Sequence, residues 1–141
     1  MRIMRDIRET LLSTGYFLDN EYLEKYCVAV ERHTRTRCIR GVTNKHHIIP
    51  KALFNLLGEE IDNSLVNLVN LPYREHALAH YYLCLCTRDE MKYASEMALI
   101  CLISRKKMGA SDRCLITSMP RYKEIYQDYI DKKTTQYRLY K

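Results

Sequence analysis

Apolar positions recur at helical spacing through most of the chain. Ile3, Ile7, Leu11 and Leu12 predict a short helix from residue 1 to about residue 13, ended by Gly15. Asp19 or Asn20 can cap a second helix running to about His33, with Leu23, Tyr26, Cys27 and Val30 as its buried face. From His33 to Lys45 the chain is polar and basic, broken at Gly41, and reads as a loop or an exposed strand. His46 to Ile49 has strand character and stops at Pro50. Lys51 to Leu57 supports a single helical turn closed by Gly58, and Asp62-Asn63-Ser64 is a turn signal. Leu65 to Leu71 alternates apolar and polar residues, which predicts a second short strand. Pro72 suits the first position of a helix reaching about Cys86.

Thr87-Arg88-Asp89-Glu90 has the form of a capping box, so a new helix is expected there. It runs to Gly109 with Arg105, Lys106 and Lys107 in its last turn, where the helix dipole favours cations. Pro120 opens a last helix whose apolar side holds Tyr122, Ile125 and Tyr129; the tail from Lys132 reads as loose. The two strands are neighbours in sequence and pair as an antiparallel hairpin. The expected class is therefore α+β, mostly helical. The chain reads as one domain over 1–141: a helical segment at 1–35, a strand–loop–strand–helix core at 36–88, and C-terminal helices at 89–141. There is no internal repeat and no Gly/Ser linker.

Composition sharpens this picture. A length of 141 residues allows one domain with a real core. No apolar run is long enough to span a membrane, and the N-terminus lacks the form of a secretory signal, so a cytoplasmic location is expected. The six cysteines form no CxxC pair and read as free, mostly buried thiols. The net charge of +6 favours an anionic partner, nucleic acid first. Arg32, Arg35, Arg37, Arg40 and Lys45 crowd one stretch, with Lys51 just beyond; Arg105 to Lys107 form a second cluster. A solvated face is the plain reading of each. Tyr81, Tyr82, Tyr93, Tyr122, Tyr126 and Tyr129 read as core packing and as a homodimer face.

Four of the five histidines lie between Lys45 and Leu85. His76 and His80, four apart on a helix, point the same way and can reach one ion. An HxxxH pair without metal is the bland alternative. A hairpin leading into that helix brings His46 beside its start as a third ligand, leaving an open position. Cys84, four beyond His80, is within reach on spacing, although its apolar neighbours favour burial. His47 is then free to act as a base, since an imidazole titrates near pH ~6.5. Asn67 can orient it, with Asn70, Asn63 and Asn44 as rivals. Adjacent strand residues face opposite ways, so a shared site needs irregular backbone at the pair or a site that wraps the strand end.

This order of residues, His46-His47, then Asn67, then His76-Ala-Leu-Ala-His80, resembles the HNH or ββα-metal endonucleases, closest to the all-histidine variant of colicin-type DNases. Asn67-Leu-Val-Asn-Leu-Pro-Tyr-Arg-Glu-His76 and Ile48-Ile49-Pro50 fit the same pattern, which covers residues 45 to 86. The resemblance implies one divalent metal (Zn, Ni, Mn or Mg) on His46, His76 and His80. It makes His47 the general base and Asn67 the residue that holds its ring. The implied reaction is hydrolysis of DNA phosphodiester bonds, leaving 5′-phosphate and 3′-hydroxyl ends. Arg40, Lys45, Lys51 and Arg74 are candidate phosphate contacts, and the helix after the second strand is expected to face the minor groove. The loop from His47 to Asn67 is long and lacks the Gly-Gly often found after the proline; the cysteine knuckles of many relatives are missing, so no further zinc is expected. The alternatives are a non-catalytic, metal-stabilised DNA-binding module and an RNase or toxin nuclease.

Overall fold

A computed structural model describes residues 6–139, with side chains as far as Gln136. The expected helical positions 1–5, with Ile3, and the last two residues of the tail lie outside the described residues. In chain order the elements are α1 (Ile7–Leu12), α2 (Glu21–Arg32), β1 (Thr43–His47), α3 (Lys51–Leu57), β2 (Leu68–Pro72), α4 (Tyr73–Cys86), α5 (Asp89–Ile103), α6 (Ala110–Thr117) and α7 (Tyr122–Leu139). A single 3-10 turn covers Leu65–Asn67. The class is α+β and mostly helical, as expected. Among the described residues no helix is long and apolar enough to cross a membrane.

Local chemistry explains most boundaries. Asp6 caps α1, and Asn20 caps α2 by accepting from the backbone N–H of Tyr22 and Leu23. The expected face of α2 (Leu23, Tyr26, Cys27, Val30) is the buried one. Gly58 ends α3 in the left-handed region at φ 69°, where a side chain is disfavoured. β1 and β2 pair antiparallel, with His46 opposite Val69 and His47 opposite Leu68.

Several boundaries differ from expectation. β1 starts earlier, at Thr43, after a left-handed turn at Gly41, and it ends on His47 instead of running to Ile49. β2 begins only at Leu68, because Leu65 and Val66 are exposed and Asn67 turns inward. Pro72 closes β2 and precedes α4. The capping box at Thr87 does not form. Thr87 bridges Phe17 through its backbone, and its hydroxyl donates back to Leu83 O at 2.6 Å. α5 stops at Ile103, short of Gly109, and the basic cluster falls in the turn that follows. Helix α6 was not expected; only its Ile116 is buried, too little to give a periodic signal. α7 continues through the tail read as loose, held by Gln127–Asp131, Lys132–Asp128 and Lys132–Glu96 contacts.

α4 is the central element. It is buried on nearly every side, between α2 and the hairpin on one flank and α5 and α6 on the other. A helix apolar all round belongs in the middle of a fold. Two apolar clusters meet along it, one built from α1 to α4 with Met91 of α5 and one from α4 to α7, with Tyr22 and Tyr82 packed against both. The tyrosines pack mainly within the chain: Tyr81 and Tyr129 are buried, Tyr93 stacks on Tyr129, and Tyr126 is exposed. Of the free cysteines, Cys27, Cys84 and Cys86 are buried, but Cys38, Cys101 and Cys114 are exposed, against the expectation that most would be buried.

Candidate metal centre

His46 points inward from β1. His76 and His80 point toward it from successive turns of α4. Their ligand atoms lie within 4.8 Å of one another, so the three imidazoles could hold a metal ion. His76 Nε2 and His80 Nε2 are 3.1 Å apart. Two nitrogens each ~2.05 Å from a tetrahedral ion stand about 3.3 Å apart, so the pair is already near ligand spacing.

The protein also fixes which nitrogens are free. The Tyr26 hydroxyl donates its one hydrogen to Ile48 O at 2.6 Å. It therefore accepts from His46 Nε2, 2.8 Å away, and the lone pair of His46 is left on Nδ1. Asn44 Nδ2 lies 3.0 Å from His76 Nδ1 and donates to it. An ion on His76 Nε2 would move the ring proton to Nδ1 and require the Asn44 amide to turn its oxygen toward the ring. His80 Nδ1 is buried with no hydrogen-bond partner. Burial pushes His46 well below the usual imidazole range, with the neighbouring histidines adding to the effect. It lowers His76 to about 4 and His80 to about 3, helped at both by the charge of Arg105. Neutral rings with a surplus of ring nitrogens are the state a metal requires.

His47 lies outside this cluster. Its Nε2 is 2.8 Å from Asn63 Oδ1. With that oxygen accepting, the proton sits on Nε2 and Nδ1 is left as the basic nitrogen. The ladder stays regular through the pair, so the expected irregularity is absent there; the strand instead ends on His47. His46 and His47 nevertheless line one cavity, which wraps the strand end.

Asn67 does not hold His47. Its Oδ1 accepts from Ile49 N at 2.8 Å, and its Nδ2 donates to Asp62 O and Ile49 O at 2.9 and 3.3 Å. Fully buried, it ties the two ends of the 49–62 loop together and so positions Asn63 next door. Both amide hydrogens and the oxygen go to backbone groups, and the ring of His47 bonds Asn63 instead. Asn63 and Asn44, read only as rivals for one role, each hold a different histidine.

The cavity encloses about 590 Å³ between β1 and α3 on one side and α5 on the other, with α4 as its floor. Lys45 and Lys51, two of the candidate phosphate contacts, line it. Arg40 is exposed in the preceding turn, away from the lining. Arg74 is paired with Asp112 at 2.9 Å and does not face the cavity. It is also the only exposed residue of α4, which leaves that helix little surface to present to a groove. Cys84 packs in the second apolar cluster, not on the triad. His33 bonds Thr36 and takes no part. Sequence reasoning missed two residues of the site. Tyr26 gave one signal, a phenol on a buried face, whose hydroxyl needs a partner. Arg105 shows in the sequence only as part of a basic cluster whose plain reading is a solvated face, because its place at the cavity depends on how α5 crosses α4. No family model, curated protein or solved structure matches this chain.

Proposed function

We propose that this protein is a metal-dependent endonuclease of the HNH, or ββα-metal, type that hydrolyses DNA phosphodiester bonds. One observation carries the reading. A fourth imidazole, His47, borders the cavity of the three-histidine cluster without joining it, and Asn63 leaves its Nδ1 free. A structural ion has no use for a spare base, and three protein ligands with an open position are the pattern of a catalytic ion.

His46, His76 and His80 would hold the ion. Bound there, it would supply charge stabilisation to a phosphate oxygen and to the leaving 3′ oxygen. His47 Nδ1 takes the proton of the attacking water, and its Nε2–H stays on Asn63. Lys45 and Lys51 hold phosphate oxygens at the cavity mouth; such contacts place the backbone without reading bases.

Supercoiled plasmid and a structured RNA are incubated with the protein in Mg²⁺, Mn²⁺, Ni²⁺, Zn²⁺ or EDTA. Metal-dependent cutting of DNA is expected. His47→Ala should lose about 10²–10⁴-fold in rate while binding metal as tightly as the parent in calorimetry. Cutting of RNA alone moves the substrate to RNA. Metal binding and a DNA mobility shift without cutting under any ion would replace the enzyme with a metal-stabilised binding module.

A further inference from the structure

The cavity beside the triad is one-signed. Its charged lining residues are Lys45, Lys51 and Arg105, and no Asp or Glu lines it. The chain has 17 acidic residues, and other exposed arginines find them: Arg74 takes Asp112 and Arg121 takes Glu124. Among the described residues no carboxylate pairs with Arg105. Three cations with no counter-charge leave a positive pocket that suits an anion.

Arg105 is also held in place. It sits two residues past the end of α5, in a turn closed by the Met108 N–H donating to Arg105 O at 3.1 Å. Arg113 of α6 adds further donors to the carbonyls of this turn: its Nε donates to Ile103 O at 2.7 Å, and its Nη2 to Arg105 O and Met108 O at 3.2 and 3.3 Å. Met108 is buried beneath the turn. Two helices outside the strand–loop–strand–helix unit thus fix the backbone of the turn that carries Arg105 to the cavity wall.

We propose that Arg105 is a substrate-binding residue that grips a non-bridging oxygen of the phosphodiester, so that the phosphate is held between the metal centre and the end of α5. Guanidinium presents a planar fork to phosphate, whereas lysine offers a point charge. This deepens the nuclease reading and rests on it for the identity of the anion. It moves a part of the phosphate site out of the hairpin and helix that carry the histidines and onto the C-terminal helices.

The test compares Arg105→Gln, Arg105→Lys and, as a control in the same turn, Lys107→Gln, which does not line the cavity. Metal affinity is measured first by calorimetry with Ni²⁺ and should be unchanged or tighter in Arg105→Gln, because a repelling charge is gone. On plasmid, Arg105→Gln should lose about 10–100-fold in kcat/KM and flatten the salt dependence of DNA binding by about one phosphate contact. Arg105→Lys should recover part of the loss, and Lys107→Gln should stay near the parent. Equal activity of Arg105→Gln and Lys107→Gln overturns the proposal, as does loss of metal binding, which would mark a structural role. Binding of inorganic phosphate and of a short DNA duplex to Ni²⁺-loaded protein is measured in parallel. If the parent cuts nothing, the nuclease reading fails, but weaker duplex binding by Arg105→Gln still upholds the anion site. Parent protein that binds neither probe, or binding that Arg105→Gln leaves intact, overturns it; phosphate bound with no preference for duplex assigns the site to a free anion instead.

Discussion

Tyr26 and Asn67 are both fully buried polar side chains; Tyr26 orients a histidine, and Asn67 pins the loop that carries Asn63. The Tyr26 hydroxyl relays one hydrogen bond from His46 to Ile48 O and thereby leaves His46 Nδ1 as the nitrogen able to take an ion. Outer partners of this kind tune affinity by about 10–100-fold. Tyr26→Phe keeps the ring that fills the core, so the protein should fold while its Ni²⁺ or Zn²⁺ affinity drops by that factor; undiminished affinity in calorimetry would remove the relay. Asn67 and Asn63 separate stability from chemistry. Asn67→Ala strands the backbone groups of Ile49 and Asp62 and should cost about 1–3 kcal/mol in urea unfolding. Asn63→Ala exposes nothing buried. It should leave the urea midpoint in place and lower cleavage by part of the roughly 10²–10⁴-fold that a positioned base supplies.

At the scale of elements, the contact between α5 and α7 carries a charge signature of its own. Glu96 on α5 is fully buried and faces Asp128 and Lys132 of α7, with Lys92 one turn back. Burial, then the hydrogen bond with Asp128, pushes its carboxyl from 4.5 up to about 8. The folded state keeps this proton up to about pH 8, whereas the unfolded state releases it near pH 4.5. Between those values the folded state binds more protons. The contribution to stability is therefore complete below pH 4.5 and falls away as pH rises toward 8. Thermal melts of Glu96→Gln should lose that decline, because the amide cannot ionise. A slope equal to the parent's would place the pH dependence elsewhere. The sequence gives no hint of this pair, because residues 96 and 128 meet only once α7 lies along α5.

Across the whole molecule, the three-histidine cluster joins the hairpin to the central helix. An ion held there would bind β1 and α4 at once and only in the folded chain. At one hundred times its Kd it should add about 2.7 kcal/mol, roughly 8–10 °C in Tm for a chain of this size. Scanning calorimetry with and without EDTA reads this directly, and His80→Ala should abolish the difference. No shift with any divalent ion would remove the metal from the fold.

The sequence by itself determined the parts that depend on near neighbours. Capping by Asn20, the buried stripe of α2, the stop at Gly58, and the hairpin leading into a helix with two histidines on one face follow from local spacing and backbone chemistry. So does the meeting of His46 with His76 and His80, because a tight antiparallel pair fixes where its first strand lies. Tertiary structure alone decided who serves those histidines. Asn67 was absorbed by the backbone of its own loop, which gave His47 to Asn63. Tyr26 came from a helix twenty residues upstream of His46, and Arg105 from the far end of α5. Such partners are chosen by packing between distant segments, and spacing along a chain carries no record of which helix face will close over which cavity.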